Sequence, residues 1–185
     1  MPHIFEGEPV LANAIRLAKI ARLFQLPVFG TEQNPDGLGA NVDAVRSLCA
    51  KTLVKQSFNA CEDGLLEGLR PAPKSHGAES RGNARSLPKH LQKAVPHNPE
   101  HNTIVIAGCE AHVCLLQTAL GLLEQEFEVW VVTDACGSRT ERNRDAAFDR
   151  LAGAGAELVT TEMVAFEWLR SSDHDVFKDV LAILK

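Results

Sequence analysis

The chain is predicted to fold as an α/β domain, a parallel sheet with helices on both faces in a Rossmann-type three-layer arrangement. Three features predict it. From Thr103 to Thr161 short β-branched apolar runs alternate with amphipathic stretches, the pattern of strand–helix–strand units joined by right-handed crossovers. Val129-Trp-Val-Val132 is apolar at every position, as a strand covered on both sides should be. The run Thr103-Ile-Val-Ile-Ala-Gly108 ends in glycine, turns, and opens a helix whose first turn carries Cys114.

The elements follow in order. Apolar residues at Val10, Leu11, Ala14, Ile15, Leu17, Ala18, Ala21 and Leu23 recur at helical spacing, and Pro27 ends that helix. Val28–Thr31 reads as a short strand entering the turn-rich loop Asn34-Pro-Asp-Gly-Leu-Gly39, with a helix over roughly Val42–Leu48 and a second strand at Thr52–Lys55. Cys61–Arg70 is a further helix. Residues 71–101 then hold five prolines and four histidines among polar residues; this composition predicts a polar surface insert with one short helix around Leu87–Val95. Beyond it the spacing predicts strand 103–108, helix 111–124, strand 128–133, helix 141–152 and strand 157–161. Helices at Met163–Leu169 and Val176–Leu184 would cover an edge or a subunit interface. Residues 1–185 are read as one domain.

With 185 residues, 45% hydrophobic and 23% charged, the composition is globular. A net charge of −5 and no long basic run argue against nucleic acid or an anionic membrane as the main partner and favour a small molecule. Five scattered cysteines (Cys49, Cys61, Cys109, Cys114, Cys136) form neither a disulfide framework nor a zinc pattern. His76, His90, His97 and His101 are irregularly spaced without paired carboxylates, so no metal and no cofactor are expected. No apolar run spans a bilayer and no signal peptide is visible, which makes the cytoplasm the default compartment.

Cys114 is the candidate of most interest. At a helix N-terminus over the carboxyl edge of a parallel sheet, dipole and free N–H groups favour thiolate over thiol. The competing reading is a small buried apolar residue.

Gly108-Cys-Glu-Ala-His-Val-Cys114, Val131-Val-Thr-Asp-Ala-Cys-Gly-Ser-Arg139, Gly30-Thr-Glu-Gln-Asn-Pro-Asp-Gly-Leu-Gly39 and Lys55-Gln-Ser-Phe58, in that family's order along the chain, resemble the isochorismatase-like cysteine hydrolase superfamily. The likeness is strongest to its isochorismatase-domain-containing branch, related to nicotinamidase and N-carbamoylsarcosine amidohydrolase. The resemblance implies an Asp-Lys-Cys site in which the nucleophile falls on Cys114 and the lysine on Lys55. It also implies an oxyanion held by the backbone N–H groups of Glu110 and Cys114, and a cis peptide between Cys109 and Glu110. Glu32, Gln33 and Ala111 are candidates for the pocket, and a homo-oligomer is expected.

The family's aspartate ends a first, central strand followed by Asp-x-Gln, and the segment Met1-Pro-His-Ile-Phe5 resembles what comes after it. The chain is therefore expected to start late and to lack that strand, which belongs between strands 28–31 and 103–108. Its absence leaves two unpaired inner edges or forces them to pair. Asp134 and Glu32 are the acids that could substitute, though Asp134 reads more simply as a cap and His112 as a packing residue. The function expected is hydrolysis of a small amide or related C–N bond. The alternatives are a catalytically silent binding or assembly protein of the same fold, or a vinyl-ether hydrolase.

Overall fold

The computed structural model describes residues 3–69 and 102–185. The expected insert at 71–101, its short helix and its four histidines lie outside the described residues.

The first helix, α1 (Gly7–Leu23), has Glu8 in its first turn and Arg22 in its last, charges that suit the helix dipole, and it buries Val10, Leu17, Ala18, Ile20 and Ala21. The chain leaves it through Gln25 in the left-handed region, whose neighbour Leu26 donates its N–H back to Ala21 O. Strand β1 (Phe29–Gln33) then pairs in parallel with β2 (Lys51–Lys55). Between them are two four-residue turns of helix, α2 (Pro35–Leu38) and α3 (Asp43–Arg46). A 3₁₀ turn over Ala60–Asp63 and the short α4 (Leu65–Leu69) replace the single helix expected from Cys61. Gly64, at φ 94, separates them, because a left-handed residue cannot continue a helix.

In the second half, β3 (Thr103–Cys109), β4 (Glu128–Gly137) and β5 (Glu157–Val159) form a parallel sheet in the order β3-β4-β5. Helices α5 (Leu116–Glu124) and α6 (Glu141–Gly153) follow β3 and β4, and α7 (Thr161–Leu169) and α8 (Phe177–Leu184) close the chain. Strand β4 is the spine. Val129 and Val131 face the α5–α6 core with Leu122 and Leu151, while Trp130 and Val132 face α1 and α7 with Leu17 and Val164, the period-two alternation that makes three layers.

β4 runs four residues past its expected end because a register shift after Ile106 lets Cys136 and Gly137 pair with Gly108 and Cys109. β5 is shorter than expected because Thr160 caps α7, its Oγ1 accepting from Met163 N at 3.3 Å. The apolar faces of α7 and α8 are largely spent inside the chain: Ala165, Leu169 and Val180 bury against Ile20 of α1. Only part of α7, Met163 and Phe166, is left exposed.

Among the described residues β1–β2 and β3–β4–β5 are two separate sheets, with no strand pairing between them. Of the two outcomes expected without a central strand, the inner edges stay unpaired. Consistently, no residue of β3 is fully buried, whereas β4 is buried at six of its ten positions.

Candidate functional site

Near the end of β3 lies Gly108, whose φ of 132 is open to glycine and few others, and the Cys109–Glu110 peptide that closes the strand is cis, in the position the resemblance implied. Ala111–Leu115 is a π turn rather than the start of an α-helix. Leu115 N donates to Glu110 O at 3.3 Å, five residues back. The widened turn sets Cys114, half-buried, at the head of α5, and π turns of this kind occur often at functional sites. Glu110 itself is tied to Arg139 Nε at 2.7 Å.

Lys55 arrives from the other sheet. It ends β2 directly beside Gln33, its register partner at the end of β1, so both side chains leave the same face. Lys55 is 3% exposed. Its Nζ donates to Gln33 Oε1, to Ser57 O at 2.9 Å and to Phe58 O at 3.1 Å, which uses all three donors of an ammonium. Cys114 Sγ donates to the same Gln33 Oε1 at 3.7 Å. Nucleophile candidate and lysine thus meet at one amide oxygen. Among the described residues no carboxylate lies within 4.0 Å of Lys55.

Two further residues hold this arrangement, and neither was expected. Asp63 accepts from Gln56 N at 3.0 Å and from Ser57 N at 2.8 Å, which turns the Ser57 and Phe58 carbonyls toward Lys55. Thr118, one turn below Cys114 on α5, accepts from Ala60 N at 3.0 Å and donates to Phe58 O at 3.4 Å, joining the lysine's loop to the helix of the nucleophile. Only its place one turn after Cys114 could have singled out Thr118, since both partners are 58 and 60 residues away in sequence.

Glu32 does not accompany Gln33. Consecutive strand residues point to opposite faces, and Glu32 is buried, accepting from Asn41 N at 3.0 Å with Arg46 Nε at 3.6 Å. Ala111, expected to line the pocket, is wholly buried with Leu115, Leu122 and Val131, because the turn folds its methyl into the core. Asp134 is committed elsewhere: its Oδ1 accepts from Thr161 N at 2.8 Å and Thr161 Oγ1 at 2.9 Å, a cap on α7. His112 is held between Ser138 Oγ at 3.0 Å, just past β4, and Asn143 Nδ2 at 3.5 Å on α6, which ties its turn to those elements.

The other thiols sit in less favourable surroundings for a thiolate. Burial pushes Cys49, Cys61, Cys109 and Cys136 up from the ordinary thiol value, Cys136 the furthest because it is fully enclosed. A surface concavity of about 300 Å³, lined by Arg22, Gln25, Pro27, Ser47 and Cys49, lies at the amino ends of β1 and β2. Cys114 and Lys55 sit at the other edge, that of the strands' carboxyl ends, where open α/β sheets generally bind their ligands. No group of three or more His, Cys, Asp or Glu among the described residues is arranged to hold a metal, and no described helix is long and apolar enough to cross a membrane.

A three-layer α/β protein with a cysteine at a widened helix start and a buried lysine at the end of a strand in the other sheet is thereby defined. The isochorismatase domain family matches residues 1–163, and the chain belongs to that family. Isochorismatase domain-containing protein 2A of Mus musculus is 30% identical over 184 residues, spanning 100% of this chain and 76% of that protein. Among solved structures, the MAR1 ribonuclease of Caenorhabditis elegans superposes with a TM-score of 0.79 at 28% identity, covering 99% of this chain and 82% of that one. The YcaC gene product of Escherichia coli, described as an octameric hydrolase of unknown specificity, gives 0.72 at 26% identity over 96% of this chain and 75% of that one.

Proposed function

We propose that this chain is a cysteine hydrolase acting on a small amide or related C–N bond, with Cys114 as nucleophile and Lys55 as its cationic partner. The observation that carries the reading is the convergence of Cys114 Sγ and the buried Lys55 Nζ on one acceptor, Gln33 Oε1. In the reaction, the Cys114 thiolate adds to the carbonyl carbon and the oxygen takes the charge, facing the N–H groups of Glu110 and Cys114. The C–N bond then breaks and the amine leaves with the proton that the Cys114 thiol gave up. Water cleaves the resulting thioester, releasing a carboxylic acid and restoring the thiol. The ammonium of Lys55 offsets negative charge on sulfur throughout.

A second reading, a silent binding member of the fold, is favoured by one specific feature: the acceptor at the centre of the site is a neutral amide, which cannot take a proton as a base does. Ammonia release from nicotinamide and carbamoyl amides separates the two. The hydrolase reading expects turnover that disappears in Cys114→Ala. Turnover equal in both proteins would remove Cys114 from the mechanism, and none in either would favour the silent fold. A ribonuclease role rests on nothing beyond the names that the worm and Leishmania neighbours carry, and a net charge of −5 opposes polyanion binding.

We also propose a homo-oligomer. Leu158 on β5 and Met163 and Phe166 on α7 stay exposed, and the Escherichia coli neighbour is described as octameric. Light scattering should return a multiple of the 20.1 kDa chain mass; the chain mass itself would overturn this.

A further inference from the structure

We infer that Gln33 is the positioning residue of the site: its neutral side-chain oxygen, shared between Lys55 Nζ and Cys114 Sγ, aligns the two while leaving the lysine's charge free to act on the sulfur. The inference rests on the reading of Cys114 and Lys55 just given.

The two groups ride on different sheets. No strand pairing joins β1–β2 to β3–β4–β5 among the described residues, so backbone ladders cannot set their separation, and side chains must. Gln33 is built for this in three ways. Its place opposite Lys55 is fixed by the β1–β2 register. The orientation of its amide is fixed too, because Nε2 donates to Gln56 O at 2.6 Å while the donors Lys55 and Cys114 meet the other end. Flipping it would put an NH₂ against an ammonium and a carbonyl against a carbonyl. Finally, a carbonyl oxygen has two lone pairs, and both are used.

The choice of amide has a chemical consequence. A carboxylate in the same place would pair with Lys55 and repel a thiolate; an alkyl group would leave the ammonium one acceptor short and the thiol without one. With glutamine the cation's partners are Oε1 and two main-chain carbonyls, all neutral, so its charge is not cancelled beside Cys114. Of the titratable groups on the neighbouring elements, Glu32 is engaged with Asn41 and Arg46, Asp63 with Gln56 and Ser57, Glu62 with Asn59, Glu110 with Arg139, and His112 with Ser138 and Asn143, while Lys51 and Glu124 lie at the far ends of β2 and α5.

The test is the pH profile of Cys114 alkylation by iodoacetamide, followed by mass mapping in the full chain for the wild type, Gln33→Glu and Gln33→Leu. It reads the thiol directly and needs no substrate, so it stands or falls separately from the hydrolase reading. Glutamate neutralises Lys55 and adds a like charge, so the profile should move to higher pH and the rate at neutral pH should fall roughly ten-fold. Leucine removes the acceptor that favours the S–H form and frees a Lys55 donor for the thiolate, so that profile should move to lower pH. A residue that merely fills space would not move the two variants in opposite directions. A wild-type profile in Gln33→Glu overturns the inference. So does a leucine profile displaced in the same direction as the glutamate one. Glutamate is isosteric with glutamine, so the Glu arm decides even if the leucine variant fails to fold.

Discussion

Five cysteines share one chain, yet they are not equivalent thiols. Burial raises four of them, and the cause fixes the sign of every consequence. A thiol held above its ordinary value stays protonated and unreactive at neutral pH, so Cys114 should take iodoacetamide first while Cys49, Cys61, Cys109 and Cys136 lag. Early labelling of Cys49 or Cys109 would contradict this. The same burial couples to stability. Folded Cys136 binds its proton more tightly than the unfolded chain does, so its contribution is intact below the free-thiol value of about 8.5 and is lost as pH rises beyond it. Thermal midpoints should therefore decline above about pH 8.5, less steeply in Cys136→Ala than in the wild type. Parallel declines would assign the effect to other groups. Asp134 permits a comparable separation of roles. Asp134→Ala strips Thr161 of two hydrogen bonds, which should cost about 1–2 kcal/mol, and leave the rate of Cys114 alkylation unchanged. Lost reactivity at full stability would make Asp134 a base after all.

At the scale of elements, α5 and the 3₁₀ turn Ala60–Asp63 approach so closely at Gly121 that a Cβ there would lie 2.7 Å from Asn59 Nδ2. Asn59 caps the 3₁₀ turn through Cys61 N. Gly121→Ala gains about 1 kcal/mol of helix propensity and risks about 1 kcal/mol of cap, so the thermal midpoint should barely change. Alignment should suffer, because the displaced turn carries the Phe58 carbonyl away from Lys55, and turnover should drop several-fold. Unchanged turnover would show that this contact does not set the lysine. The elements themselves were largely legible. The apolar runs at 103–108 and 128–133 and the periodicity of α1 lie where the pattern placed them, whereas α1 stops at Leu23 through left-handed Gln25 and not at Pro27. What the pattern missed has local causes. A π turn has no sequence period of its own, so Ala111–Leu115 read as α-helix, and Thr160 read as strand because its hydroxyl's partner, Met163 N, is known only once the helix exists. For the site, motif order placed Cys114 and Lys55 together. The shared oxygen of Gln33 depends on strand register, and Thr118 and Asp63 depend on which loop packs on which helix; none of these is written in one segment.

On the scale of the whole molecule, the proposed reactive groups sit on two sheets of unequal cohesion. β4 is covered by helices on both faces and paired on both edges, while β1–β2 is a two-stranded sheet with Lys51 and Val54 exposed. Two paired strands alone are marginal in water, and opening free energy follows local burial. Amides of Val129–Val132 should therefore be the slowest to exchange with deuterium, and those of β1 and β2 should exchange at a distinctly lower opening free energy. The half that holds Gln33 and Lys55 would thus move before the half that holds Cys114. What ties it down is a short set of side-chain bridges, chief among them Gln33 Oε1 to Cys114 and Thr118 Oγ1 to Phe58 and Ala60. Thr118→Val keeps the shape of the side chain and deletes its bonds, so exchange in β1 and β2 should accelerate while β4 stays as protected as before. If β1 is as protected as β4, or if Thr118→Val loosens both sheets alike, the two halves unfold as one unit and the bridges do not govern how Lys55 is presented to Cys114.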